Sequence, residues 1–164
     1  MDVSSVTGAF TGVPYDWFAI GGFLLLIALD SLRSGIGRAC AIALALPMST
    51  LLYALVPSTI GLGAVSVLNA SPNMQLATFA AIAFVTYLIV RRIALEYIES
   101  GTGEPIQALL AGGAATAVLI VVWLQLPMTN EIWQLSPKIQ AVFSEQYRLI
   151  WLIGSYAALA FARG

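Results

Sequence analysis

The chain contains no histidine and a single cysteine, Cys40, and only 9% of its 164 residues are charged. Without histidine, the commonest general base and metal ligand is missing. One cysteine excludes an intramolecular disulfide and a thiolate metal cluster within one chain. No metal or cofactor is therefore expected. A net charge of −1 leaves no basic footprint for nucleic acid. The scarcity of charge says most. A soluble domain carries about 25% charged residues, and this chain has too few to cover a water-facing surface. With 60% hydrophobic residues and a mean hydropathy of +0.91, much of its exterior must face lipid. The first fifteen residues, MDVSSVTGAFTGVPY, include no Lys or Arg. They lack the basic segment of a secretory signal, so the first apolar stretch is expected to stay as a membrane anchor.

Apolar runs are what the chain has in abundance. They predict one all-α integral membrane domain over residues 1–164, a polytopic bundle of four or five transmembrane helices at about 15–32, 39–56, 74–90, 106–126 and 146–163. The second run holds Pro47, with Ser49 and Thr50 beside it to satisfy carbonyls freed by a kink. Pro57–Asn73 carries no charge and reads as a loop or a short surface helix. The third helix is expected to continue into water through RRIALEYIES and stop at Gly101. Pro105 suits the first turn of the fourth helix and Pro127 stops it. The last apolar run, Leu149–Ala162, extends only about 21 Å as a helix against a hydrocarbon core of about 30 Å. Arg148 and Arg163 flank it and can snorkel outward. Ser136–Pro137 is a helix start, from which KIQAVFSEQYR leads in along the interface. A spanning helix is expected there, with a re-entrant or interfacial segment as the alternative.

Positive charge falls unevenly over this topology. Arg33, Arg38, Arg91, Arg92 and Arg163 lie on one side, Lys138 and Arg148 on the other. The side richer in Lys and Arg stays in the cytoplasm, which predicts the N-terminus outside and the C-terminus inside. SLRSGIGRAC then reads as a tight cytoplasmic hairpin turned by Gly35 and Gly37. Trp123, Trp133, Tyr147 and Trp151 fit an outer aromatic belt.

Few residues carry chemistry. Asp30 follows an apolar run directly, so it is either an intramembrane carboxylate that binds a cation or a helix-end residue paired with Arg33. Asp30, Ser49 and Thr50 are the candidates for a pore or ion contact. Arg33, Arg38, Arg91, Arg92, Glu96 and Glu99 form a candidate docking surface for a partner, or else a solvated helix end with one weak Arg92–Glu96 pair. Gly101-Thr102-Gly103 lacks the rest of a phosphate-loop signature and reads as a turn. Ser155 in GSYA has no histidine to activate it, which excludes an intramembrane serine protease. Gly112 with Thr116, Gly113 with Ala117, and Gly154 with Ala158 are small residues four apart, suited to close helix packing within one chain or to self-association. Ala77 and Ala81 repeat the spacing.

Three stretches carry a family resemblance: Asp16-Trp17 opening the first span, SLRSGIGRA before the second, and ESGTGEPIQALLAGGAATAVLIVVWL (Glu99–Leu124). Together they resemble the colicin V production protein family of small bacterial inner-membrane proteins, over about half the chain. The chain departs from that family's pattern at Ser34-Gly35, where the turn is often Arg-Gly, at Ala39, where an acid is common, and in its fifth apolar segment. The resemblance implies a multi-pass inner-membrane location and a non-enzymatic role linked to bacteriocin production or envelope homeostasis. It implies no catalytic residue.

The expected function is that of a non-enzymatic accessory or scaffold in the cytoplasmic membrane, in contact with the lipid bilayer and with a membrane-protein partner or its own copies. The alternative is a small oligomeric channel or transporter, of which a holin-like pore is one variant. An enzyme would need a base or a metal, and the acids are scattered along the connections.

Overall fold

The structure, a computed structural model, describes residues 15–56, 71–97 and 104–162, with side chains for all of these except 94–97. Among these residues seven helices follow in order: α1 (Tyr15–Ser34), α2 (Gly37–Ala54), α3 (Pro72–Tyr97), α4 (Pro105–Gln125), α5 (Pro127–Ile132), α6 (Pro137–Val142) and α7 (Glu145–Ala162). No strand occurs among the described residues. Helices α1 to α4 are long and apolar enough to cross a membrane. The fold is thus an all-α polytopic bundle, and its helices match the apolar runs to within a few residues. Most of the segment expected as a loop after α2, the glycines at 101 and 103, and Arg163 lie outside the described residues.

Proline sets several boundaries. Pro105 and Pro137 open α4 and α6 behind extended residues Glu104 and Ser136. Their missing N–H groups fall where a helix has no acceptor for them. Leu126, with φ −85° and ψ 117°, separates α4 from α5 because Pro127 disfavours a helical residue before it.

Helix α4 is the axis of the bundle. Its buried side is almost all small: Ala108, Ala111, Gly112, Ala114, Ala115 and Thr116, followed by Val118, Ile120, Val121 and Val122. That lets three helices, α1, α2 and α7, pack around it. Helix α3 instead packs on α2 and on short α5. A Cβ on Gly112 would come 3.0 Å from the Ala28 nitrogen and from the Leu24 carbonyl oxygen. Only glycine allows α1 to approach α4 this closely. Bulky residues such as Leu25, Leu26, Leu29, Phe84 and Ile89 point outward, as expected when the surrounding medium is lipid.

The segment Glu145–Ala162 is an 18-residue helix that falls outside the group long and apolar enough to span. It nevertheless packs along α4. Leu152 meets the cluster of Ile120, Val121, Ile139 and Phe143, while Leu159 joins the main core with Ala39, Ala111 and Ala115. The fifth apolar run is therefore a helix of the bundle itself.

Two details show how local irregularities are absorbed. Gly35, the turn residue between α1 and α2, has φ 77°, which L side chains rarely adopt. Gly37 begins α2 as a buried helical residue, so the turn rests on Gly35. Inside α2, Pro47 has no N–H for the carbonyl of Ala43. That carbonyl accepts a hydrogen bond from the Tyr156 hydroxyl of α7 at 3.2 Å. The nearby hydroxyls act elsewhere: Ser49 donates to the Ala45 carbonyl at 2.6 Å and Thr50 to the Pro47 carbonyl at 2.7 Å.

Candidate functional site

Helix α1 carries one carboxylate at each end. At the hairpin end, Arg38 Nη1 donates to Asp30 Oδ1 at 2.7 Å, with side-chain exposures of 38% and 42%. The expected partner, Arg33, is not the one used. Arg33 is exposed in the last turn of α1, whereas the tight turn at Gly35 folds the first turn of α2 back and brings Arg38 onto Asp30. Arg33, Arg91 and Arg92 form no ion pair with a described residue. The side chain of Glu96 and all of Glu99 lie outside the described residues, so the expected Arg92–Glu96 pair does too.

The other end of α1 is built differently. Asp16 is only 8% exposed. Its Oδ1 accepts from Trp133 Nε1 at 3.1 Å and its Oδ2 from the Ser136 backbone N–H at 2.6 Å. Both donors lie in the connection between α5 and α6, so one carboxylate clasps the start of α1 to the segment that follows α4. Trp123 Nε1 in turn donates to the Trp133 carbonyl at 3.4 Å. The Thr129 hydroxyl lies 2.6 Å from the carbonyls of both Trp123 and Leu126. It adds to the backbone N–H groups of Leu126 and Thr129, which reach the same two carbonyls at 3.3 Å, and Pro127 has no N–H to serve the Trp123 carbonyl as a continued helix would. Sequence reasoning took Asp16 only as part of a family-like pair and missed this role. The available signals were an acid at the head of an apolar run and a Trp133…Ser136-Pro137 segment with spare donors.

Beside this clasp lies a cavity of about 380 Å³. Helix α4 forms its floor through Thr116, Leu119, Ile120 and Trp123, α1 one wall through Ala19, Ile20 and Phe23, and α3 the other through Leu76, Phe79, Ala80 and Ala83. Asp16, Trp133 and Leu135 complete the lining beside the clasp. Apart from Asp16, no described residue that lines it is charged.

The remaining candidates are spread through the bundle. Ser49 is buried and Thr50 half-buried in α2, away from Asp30 at the end of α1, and their hydroxyls serve backbone carbonyls. Thr116 is buried and donates to the Gly112 carbonyl at 2.7 Å, while Ala117 and Ala158 each pack against core clusters. A Cβ on Gly113 or Gly154 would meet nothing within 4 Å. Only Gly112 among these glycines sits at a close crossing within the chain. No cluster of three or more His, Cys, Asp or Glu side chains that could hold a metal occurs among the described residues.

Comparison with known proteins finds no matching family model, no matching curated protein and no matching solved structure.

Proposed function

We propose that this multi-pass membrane protein is a non-enzymatic accessory or scaffold of the bacterial cytoplasmic membrane, akin to the colicin V production family, with its arginine-bearing end in the cytoplasm. One observation carries the choice over a pore. The residues a pore would use are dispersed: Asp30 is paired with Arg38 at one end of α1, while Ser49 and Thr50 lie within α2 and donate to carbonyls of their own helix. A conducting path needs polar groups gathered along one route to replace an ion's water. The resemblance noted in the sequence supports the same assignment, and the bias of Lys and Arg supports the orientation.

The partner surface would lie around Arg33, Arg91 and Arg92, with Arg38 held back by Asp30. The test is photo-crosslinking in cells from position 93, exposed on α3 beside the two arginines. A discrete membrane protein should be captured, and capture should be lost when Arg33, Arg91 and Arg92 are all changed to Gln. Capture that persists in the triple variant sinks the docking surface. Capture of this chain's own copies alone sinks the scaffold in favour of an oligomeric assembly.

A further inference from the structure

The buried carboxylate at the head of α1 is only half explained by its role as a clasp. Asp16 has a formal negative charge, and no cationic side chain lies within ion-pair distance of it among the described residues. Among the described residues each oxygen accepts one hydrogen bond, and a carboxylate oxygen has room for a second. The first turn of α1 offers the partial positive charge of a helix start, which is less than a full counter-charge. Asp16 is also one of the residues that line the 380 Å³ cavity, and the rest of that lining is almost wholly apolar.

We propose that this cavity binds a lipophilic organic cation, a protonated amine or quaternary ammonium with an apolar body. Its head would lie against Asp16, flanked by the indoles of Trp123 and Trp133. Its body would run between Phe23 of α1 and Phe79 and Ala83 of α3. The volume fits one small ligand, since such sites span roughly 300–1,000 Å³. Indole faces attract an alkylammonium group, and the attraction grows when water is excluded. Other occupants fit less well. A phospholipid would bring a phosphate beside the carboxylate, and among the described residues no Lys or Arg lines the cavity to receive it. A metal ion would need several oxygen ligands, where Asp16 offers one carboxylate amid hydrocarbon. An uncharged tail leaves the negative charge unanswered.

The test uses the full chain in a neutral maltoside detergent. The probes are phenylpropyltrimethylammonium and its uncharged isostere, in which carbon replaces nitrogen. Affinities are read by titration calorimetry against empty micelles. The cation should bind roughly tenfold or more tightly than the isostere. Asp16→Asn should abolish that preference while leaving the isostere's affinity in place. Ala83→Phe, which fills the cavity without touching the clasp, should weaken both ligands. Equal affinities in the unaltered protein overturn the proposal. So does failure of either ligand to bind, survival of the preference in Asp16→Asn, or indifference of the cation to Ala83→Phe. Should Asp16→Asn fail to fold, the comparison of the two probes and the Ala83→Phe variant still decide.

Discussion

The two carboxylates of α1 have the same chemistry and opposite surroundings. The Asp30 side chain is 42% exposed and meets an arginine eight residues further on, across one tight turn. Asp16 is buried, and its donors come from residues 117 and 120 positions away. The first contact closes a local hairpin that Gly35 already dictates. The second holds α1 to the far end of α4 and fixes the segment between α5 and α6. In a bundle surrounded by lipid, apolar contact alone gives little preference for one arrangement of helices, because the tails are as apolar as the side chains. Polar clasps and close crossings then decide the arrangement, and of the two carboxylates it is Asp16 that spans enough of the chain to do so.

The largest effect should therefore come from Asp16→Ala. It leaves the Trp133 indole N–H and the Ser136 backbone N–H without their acceptor, at a cost of about 3 kcal/mol. Thermal unfolding in maltoside micelles measures this directly. A loss under about 1 kcal/mol would mean that water replaces the carboxylate and that the clasp holds little.

The next largest effect belongs to the crossing of α1 on α4. Gly112→Ala forces a methyl group against the backbone of α1, and overpacking of this kind costs about 1–3 kcal/mol. Gly113→Ala is the matched control, because its new Cβ meets nothing within 4 Å. It should be neutral or slightly stabilising through helix propensity. If the two variants unfold at the same temperature, α1 is not pinned at this point, and the contrast between its two ends loses its basis.

Much of this architecture was legible in the sequence, because much of it is local. Apolar runs gave the helices, Pro105, Pro127 and Pro137 their boundaries, and the hairpin its turn at Gly35. What escaped depended on residues distant along the chain. The spacing of Asp30 and Arg33 suited a helical ion pair, but the turn supplied Arg38 instead. Ser49 and Thr50 stood beside Pro47 and looked like its remedy. The carbonyl that Pro47 deprives of a donor belongs to Ala43, one turn earlier, and its donor came from Tyr156 on another helix. Asp16 was hidden for the same reason: an acid beside an apolar run marks a helix end, and nothing nearby in sequence shows that Trp133 and Ser136 will close over it. The small-residue pattern in α4 gave the central packing helix, yet could not separate Gly112 from Gly113, because that depends on where α1 crosses.

Tyr156→Phe tests a third polar contact, which like the Asp16 clasp joins residues far apart along the chain. It keeps the ring and removes only the hydroxyl that serves the Ala43 carbonyl. The expected loss is about 1 kcal/mol, with faster amide exchange in α2 around Pro47. Unchanged stability and exchange would show that the carbonyl finds another donor.

The smallest effect is expected at the hairpin, and its salt dependence makes it diagnostic. A half-exposed ion pair contributes about 0–1 kcal/mol. A double-mutant cycle with Asp30→Asn and Arg38→Gln should return a coupling in that range that shrinks as salt is raised, because screening at high ionic strength acts within a few ångströms. The contribution of Asp16 should resist the same salt, since its partners are neutral donors and its surroundings exclude ions. A hairpin coupling well above 1 kcal/mol, or one indifferent to salt, would place Asp30 in a drier setting than its exposure indicates. In that case the hairpin end, rather than the Asp16 clasp, would govern how α1 is held.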